Sequence, residues 1–237
     1  AKGLGQAVYI YGATGYGKTE LVRQYLSRRR YRYISCAEDT AELTEAAQSS
    51  GKEKEGEPRT VVVADDLHLL KNAEGRKAVL SLAGRQDIWL ILICRSPIPA
   101  WLMPLYIKGG FLVITEDDLR LGEKEISAYM DSQGLTATEE EVAFVAVRSQ
   151  GNAYTVRHTA LKMLEGMRPG PEMAEEIVEA FAAYLESHVM VQWDSDLLEF
   201  LMQISVTDEF TLPLAEMVTG NRHAPELLER AVETGNF

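Results

Sequence analysis

Two cysteines in 237 residues, Cys36 and Cys94, are too few for a disulfide framework. Each sits at the end of an apolar run, where a small buried thiol is a simpler reading than a metal ligand. That usage suits a reducing cytoplasm. No apolar run reaches the roughly 18 to 20 residues that a membrane-crossing helix needs, so a bilayer-spanning protein is not expected. Internal repeats and low-complexity tracts are missing too. Positive charge is scarce: 24 Lys and Arg face 36 Asp and Glu, for a formal net charge of −12. What there is gathers early, since seven Lys and Arg stand against Glu20 alone up to Cys36, which leaves everything after that point strongly acidic. Nucleic acid finds little footing on such a surface. The basic run "RRRYR" at 28–32 follows a helical pattern, and its side chains read as solvated complements to a helix C-terminus rather than as a nucleic-acid patch.

Five short apolar runs are present: "AVYIY" (7–11), "YRYIS" (31–35), "TVVVA" (60–64), "IWLILIC" (88–94) and "GFLVIT" (110–115). Continuous runs of this length, rich in Val, Ile and Tyr, fit strands buried on both faces of a parallel sheet. Between the first two lies "KTELVRQYLSRR", where Leu21, Tyr25 and Arg28 follow at helical spacing, and between the third and fourth lies "AEGRKAVLSLAG". The alternation predicts an α/β fold with a doubly wound sheet. The polar "SSGKEKEGEP" at 49–58 reads as a flexible surface loop. After Thr115 helical periodicity takes over. Thr138 and Glu141 have capping-box spacing ahead of Val142, Val145 and Ala146. "RPGP" at 168–171 marks a chain break, and the stripes Ile177, Phe181, Tyr184, Leu185 and Leu197, Leu201, Ile204 follow it as core-facing helix positions. A sheet domain at 1–115, a helical domain at 116–168 and a further helical piece at 172–237 are expected.

Gly12, then four residues, then Gly17, Lys18 and Thr19 satisfy the phosphate-loop pattern G-x-x-x-x-G-K-[ST], between a strand and a helix as that motif requires. Glycines let successive backbone N–H groups converge on a β-phosphate, Lys18 reaches the β and γ oxygens, and the Thr19 hydroxyl can ligate Mg²⁺. The nucleotide-binding set is therefore Gly12, Gly15, Tyr16, Gly17, Lys18, Thr19 and Glu20, with ATP or ADP and Mg²⁺ as ligands. "VVVADD" places Asp65 and Asp66 directly after the third strand, with one strand and helix intervening from the loop strand. Asp65 would hold the Mg²⁺ shell with Thr19, and Asp66 would orient or deprotonate an attacking water. The alternative is that the pair caps a helix. His68 either joins this site or is a packed or hydrogen-bonded histidine. Arg95 follows the fourth strand, and ligands of open α/β sheets lie at the carboxyl ends of strands. It would read the γ-phosphate, or else be a surface arginine neutralising carboxylates. Lys18, Asp66 and Arg95 form the expected catalytic set.

These residues resemble the signal-transduction ATPases with numerous domains (STAND), specifically the MalT-like, LuxR-type transcriptional regulators. "GATGYGKTELV" resembles that family's phosphate loop, "VVVADDLHLL" its acidic strand, and "CRSPIP" its sensor stretch; "LVITEDDLRLGEKEISAYM" resembles the lead-in to its helical domain and "LLEFLMQISVTDEFTLPLAEMVTG" the start of its winged helix. The resemblance implies a five-stranded P-loop domain, a helical domain and part of a winged helix that together clamp ATP or ADP. It further implies self-association driven by nucleotide exchange, and DNA binding through a separate C-terminal helix-turn-helix rather than through these residues. Gly151, Asn152 and Ala153 stand where the family carries a G-W-P-like turn next to the base, and the chain ends before the family's winged-helix histidine, as in an excised piece or a truncated relative. A switch with slow ATPase activity is the expected function. A small-molecule kinase would need an acceptor pocket and lid arginines, of which the region after Thr115 gives no clear set. A non-catalytic, nucleotide-stabilised interaction module would not need both carboxylates and Arg95.

Overall fold

The apolar runs become strands because β-branched and aromatic side chains pack well on a pleated surface that is covered on both faces. The computed structural model describes residues 7–37, 40–49, 59–207 and 209–233, so the polar segment 50–58 lies outside the described residues. Strands β1 (Ala7–Tyr11), β2 (Tyr31–Ser35), β3 (Thr60–Asp65), β4 (Ile88–Cys94) and β5 (Phe111–Ile114) pair in parallel in the order β2-β3-β4-β1-β5. Tyr9, Val63, Leu90 and Leu92 are fully buried in it, each contributing about 1.5–3 kcal/mol by leaving water. The strand that stands between β1 and β3 in space is thus β4, not the β2 that stands between them in the chain. Its register pairs Tyr11 with Cys94 on one side and Ala64 with Leu92 on the other. Continued by one or two residues, that register brings Arg95 out between Gly12 and the turn that follows Asp66.

Two compact units divide the described residues: 7–13 with Gly17–Leu119, and Thr14–Tyr16 with Arg120–Glu233. In the first, helices α1 (Lys18–Tyr25), α2 (Ala41–Gln48), α3 (Ala73–Gly84), α4 (Met103–Ile107) and α5 (Glu116–Leu119) accompany the sheet. The buried stripe of α1 is Lys18 and Val22, continued by Leu26, whereas Leu21 and Tyr25 face outward, and Arg28 lies beyond the helix. The helical spacing of Leu21 and Tyr25 thus marks the outer face of α1, one position out of phase with its buried stripe. Tyr25 instead rests its ring edge-on against Trp89. Helix α2 has no counterpart among the sequence patterns. Its C-terminal carbonyls, which lack helical partners, accept from Arg85: Nη1 donates to Ser49 O at 2.6 Å, and the same guanidinium binds the Asp87 carboxylate at 2.5 and 2.9 Å. Arg85→Ala is expected to cost about 1–2 kcal/mol, since hydrogen bonds of this kind each contribute about that much. Thermal melting checks it: at about 2–4 °C per kcal/mol for a chain of this size, the midpoint falls by a few degrees, and an unchanged midpoint would remove the capping role.

The second unit is helical: α6 (Glu123–Ser132), α7 (Glu139–Ser149), α8 (Ala153–Leu164), α9 (Pro171–His188), α10 (Ser195–Ile204), α11 (Leu212–Thr219) and α12 (Ala224–Glu233). The capping box forms as the spacing predicts, with Glu141 N donating to Thr138 Oγ1 at 3.2 Å and Thr138 N donating to Glu141 Oε2 at 2.9 Å. Gly170 and Pro171 start α9, and Met173 and Ile177 pack into the same core as Ile126, Met130, Val145 and Val156. The prolines and glycine at 168–171 are thus a helix start within one unit. Leu197, Phe200, Leu201 and Ile204 form a second core with Ala215, Leu227 and Ala231. None of the described helices is long and apolar enough to cross a membrane. Both cysteines are free and buried; burial first, then Asp66 and Asp65, pushes the Cys36 thiol up to about 12, which leaves it unreactive.

Candidate functional site

The loop after β1 must reverse sharply into α1, and glycine makes the reversal possible. Gly15 has φ +86°, and a Cβ there would stand 2.7 Å from the Asn152 amide. Gly17, at φ 76°, occupies the position before α1 in the left-handed region. Lys18 opens the helix and turns its buried side chain back, so that Nζ donates to Gly12 O at 2.7 Å and to Ala13 O at 2.8 Å. Those two carbonyls hold the ammonium at the mouth of the loop. Burial, then Arg95, lowers the Lys18 pKa to about 8, against the opposing pull of Asp65, Cys94 and Asp66. An ammonium so placed gains from any anion that replaces lost hydration.

Thr19, the next residue, donates from Oγ1 to Asp65 Oδ2 at 2.7 Å, joining the loop to the end of β3. Asp65 is buried, and its other oxygen accepts from Asp66 N at 2.7 Å. Asp66 itself adopts φ 55°, ψ 40°, a left-handed conformation uncommon for a non-glycine residue. Its side chain makes no capping hydrogen bond to the 3₁₀ turn Leu67–Leu69 that follows, so the helix-capping alternative fails for Asp66. Burial, then the neighbouring Asp65, raises its pKa, while Arg95 and Lys18 pull the other way. Raising a carboxylate's pKa makes it a stronger base while it remains ionised. At the ends of β3 and β4, one nitrogen of Arg95 (Nη1) and both ring nitrogens of His68 are buried without a hydrogen-bond partner. His68 is therefore not a hydrogen-bonded histidine; of the simpler readings, only packing without a hydrogen bond fits it.

Glu20 faces solvent and accepts from Gln24 at 3.3 Å, so what it can offer is its backbone N–H in the first turn of α1. Gly12 is buried, and a Cβ on it would stand 3.0 Å from Glu116 Cβ. Tyr16 lies in the second unit with the Arg120 guanidinium 5.8 Å from its ring centre. Among the described residues no group of three or more His, Cys, Asp or Glu could hold a metal. A hard cation beside Thr19 and Asp65 would thus complete its shell from water and phosphate oxygens, as Mg²⁺ does.

Tyr33, Glu116, Asn152 and Tyr154 also contact Asp65 or the loop. Tyr33, on β2, donates to Asp65 Oδ2 at 2.7 Å, the same oxygen that Thr19 engages. Burial, then that hydrogen bond, raises the tyrosine's pKa. Glu116 Oε2 accepts from Ala13 N at 2.8 Å. Asn152 caps α8 and donates from Nδ2 to Thr14 O at 3.1 Å, while Tyr154 N donates to Gly15 O at 2.9 Å. The loop tip is thus held by the Asn152 side-chain amide and by the Tyr154 backbone N–H. Only strand alternation, which gives Tyr33 the same parity as Ser35 at the end of β2, could have flagged any of these. Removing the phenol leaves Asp65 one donor short, so Tyr33→Phe is expected to weaken Mg²⁺-dependent nucleotide affinity by about 3- to 10-fold, which corresponds to about 0.7–1.4 kcal/mol, the net worth of one ordinary hydrogen bond. Titrating Mg²⁺ at fixed nucleotide measures it; an unchanged midpoint would mean that Thr19 alone positions Asp65.

Residues 186–237 match the family model of the MalT winged helix domain. In fold, the chain is similar to a Walker-type ATPase of Pyrococcus abyssi (TM-score 0.64, 14% identity, 98% of this chain and 85% of that one). It is similar to the Holliday junction branch migration motor RuvB of Thermotoga maritima (TM-score 0.53, 15% identity, 95% of this chain and 80% of that one). It is also similar to a signal transduction ATPase with numerous domains from Pyrococcus horikoshii, which carries a tetratricopeptide repeat sensor (TM-score 0.52, 17% identity, 97% of this chain but 36% of that one). No curated protein matches it in sequence.

Proposed function

We propose that this chain, MalT-like in its winged helix domain and STAND-like in its ATPase fold, is the nucleotide-binding regulatory module of a LuxR-type transcriptional regulator, a switch set by ATP or ADP with Mg²⁺. The observation that carries this reading is the Thr19–Asp65 hydrogen bond of 2.7 Å. It ties the phosphate loop to an acidic strand end at the point where a loop hydroxyl and a carboxylate flank a phosphate-bound cation.

The buried polar groups around it suit a polyphosphate. Lys18 would neutralise the β and γ oxygens, and the backbone of Gly12, Gly15, Tyr16, Gly17 and Glu20 would line the loop's share of the cradle. Thr19 and Asp65 would hold Mg²⁺, Asp65 through water. Bound Mg²⁺ supplies charge neutralisation at the phosphoryl group being transferred. Asp66 would orient the attacking water and take its proton, and Arg95 would stabilise charge on the γ-phosphoryl oxygens. A site with these parts suits slow hydrolysis that times a switch. Sheet, helical and winged-helix pieces at 1–115, 116–168 and 172–237 are the proposed working parts, the start of the last, Met173 and Ile177 of α9, packing into the core of the helical piece. Self-association, a cytoplasmic location and DNA binding through a separate domain complete the reading.

Calorimetric titration of the purified protein with ATP and with ADP, each with and without Mg²⁺, tests it. Binding of both is expected, with ATP the more Mg²⁺-dependent. Failure to bind either nucleotide would overturn the proposal.

A further inference from the structure

The ends of β3 and β4 hold an unsatisfied set of donors. Asp66 starts a tight turn in which Leu69 N donates to Asp66 O at 2.9 Å and Leu70 N donates to Leu67 O at 3.1 Å. That turn fixes the backbone of His68 three residues past Asp65. The β3–β4 register brings Arg95 out beside the same turn, with Gly12 on its other flank. Neither ring nitrogen of His68 has a hydrogen-bond partner, nor does Arg95 Nη1, and all three atoms are buried. Buried polar atoms left in this condition are rare and costly, and each calls for a partner. Burial, then Arg95 and Lys18, lowers the His68 pKa to about 3, so the imidazole is neutral and carries one N–H. The charges that act on the imidazole are Arg95 and Lys18, and a neutral N–H donor beside an arginine and a lysine suits an anionic oxygen better than a further cation.

We propose that His68 and Arg95 together receive the terminal phosphoryl oxygens of ATP, with His68 donating its N–H, so that this pair distinguishes ATP from ADP. The proposal rests on the nucleotide-switch reading above and assigns to His68 the part of that switch that reads the third phosphate. ADP has no oxygen at this point, so its affinity does not depend on His68.

The experiment titrates ADP and a non-hydrolysable ATP analogue, both with Mg²⁺, into the parent protein and into His68→Leu, His68→Asn and His68→Gln. Asn and Gln place an amide N–H near where Nδ1 and Nε2 stand, and Leu keeps apolar bulk without a donor. The expected result is analogue binding about 10-fold weaker in His68→Leu and within about 3-fold of parent in at least one amide variant. ADP binding should stay within about twofold throughout. An unchanged analogue-to-ADP ratio in His68→Leu overturns the proposal, as does an equal loss for both nucleotides, the mark of a structural role. If ADP still binds in those cases, the switch reading survives; a parent protein that binds neither nucleotide overturns both.

Discussion

Lys18→Ala is expected to abolish useful nucleotide binding, weakening ATP and ADP by about 10²- to 10⁴-fold. The size follows from two charge-assisted hydrogen bonds to phosphate oxygens, each worth about 1.5–3 kcal/mol, summed and converted at a factor of ten per 1.4 kcal/mol. The local structure explains why no other cation substitutes. Lys18 Nζ is held by Gly12 O and Ala13 O at the start of the loop. Arg95 follows a different strand, β4, and makes no such bond to the loop carbonyls that hold Lys18. Truncation frees two loop carbonyls but takes nothing from the apolar sheet core, so the melting temperature should fall by only a few degrees. Isothermal titration of parent and variant measures the loss. A dissociation constant within threefold of parent would show that the loop does not hold phosphate.

Asp66→Asn is expected to lower the rate of phosphate release by about 10²- to 10³-fold with ATP affinity changed less than about threefold. A positioned general base contributes about 10²- to 10⁴-fold, and the amide cannot accept the proton. Asparagine is the informative substitution because Asp66 sits at φ 55°, a conformation that asparagine tolerates as well as aspartate. Alanine would confound lost chemistry with backbone strain. Losing a negative charge next to a bound polyphosphate also removes repulsion, so affinity is held or tightened. Single-turnover phosphate release, with Lys18→Ala as the blank, checks this. A variant rate within twofold of parent would remove Asp66 from the reaction and leave Asp65 with Thr19 as a cation site only.

Chain-local features could be read before any fold was known. Val61, Val62 and Val63 announce a buried strand, the spacing from Gly12 to Thr19 announces a phosphate loop, and Thr138 with Glu141 announces a helix start. Each depends on neighbours within one turn or one strand, where covalent geometry leaves few alternatives. Other features escaped. The outward turn of Leu21 and Tyr25 on α1 depends on how the helix is rotated against the sheet, and helical spacing alone does not choose between two adjacent apolar stripes. Helix α2 carries few apolar residues and buries only Leu43 and Ala46, so its periodicity was too weak to see.

For the site, the sequence alone determined which side chains could do the chemistry: Lys18 and Thr19 in their loop, Asp65 and Asp66 behind their strand, Arg95 behind another. The tertiary structure decided which of them share atoms. It put β4 rather than β2 between β1 and β3, added Tyr33 to Asp65, placed Glu116 on Ala13 N and Asn152 on Thr14 O, and left His68 and Arg95 with buried donors in want of an acceptor. The physical reason is that these contacts join residues far apart in the chain. Their meeting depends on strand order and register, which are set by crossovers and packing across the whole sheet rather than by any local run of residues.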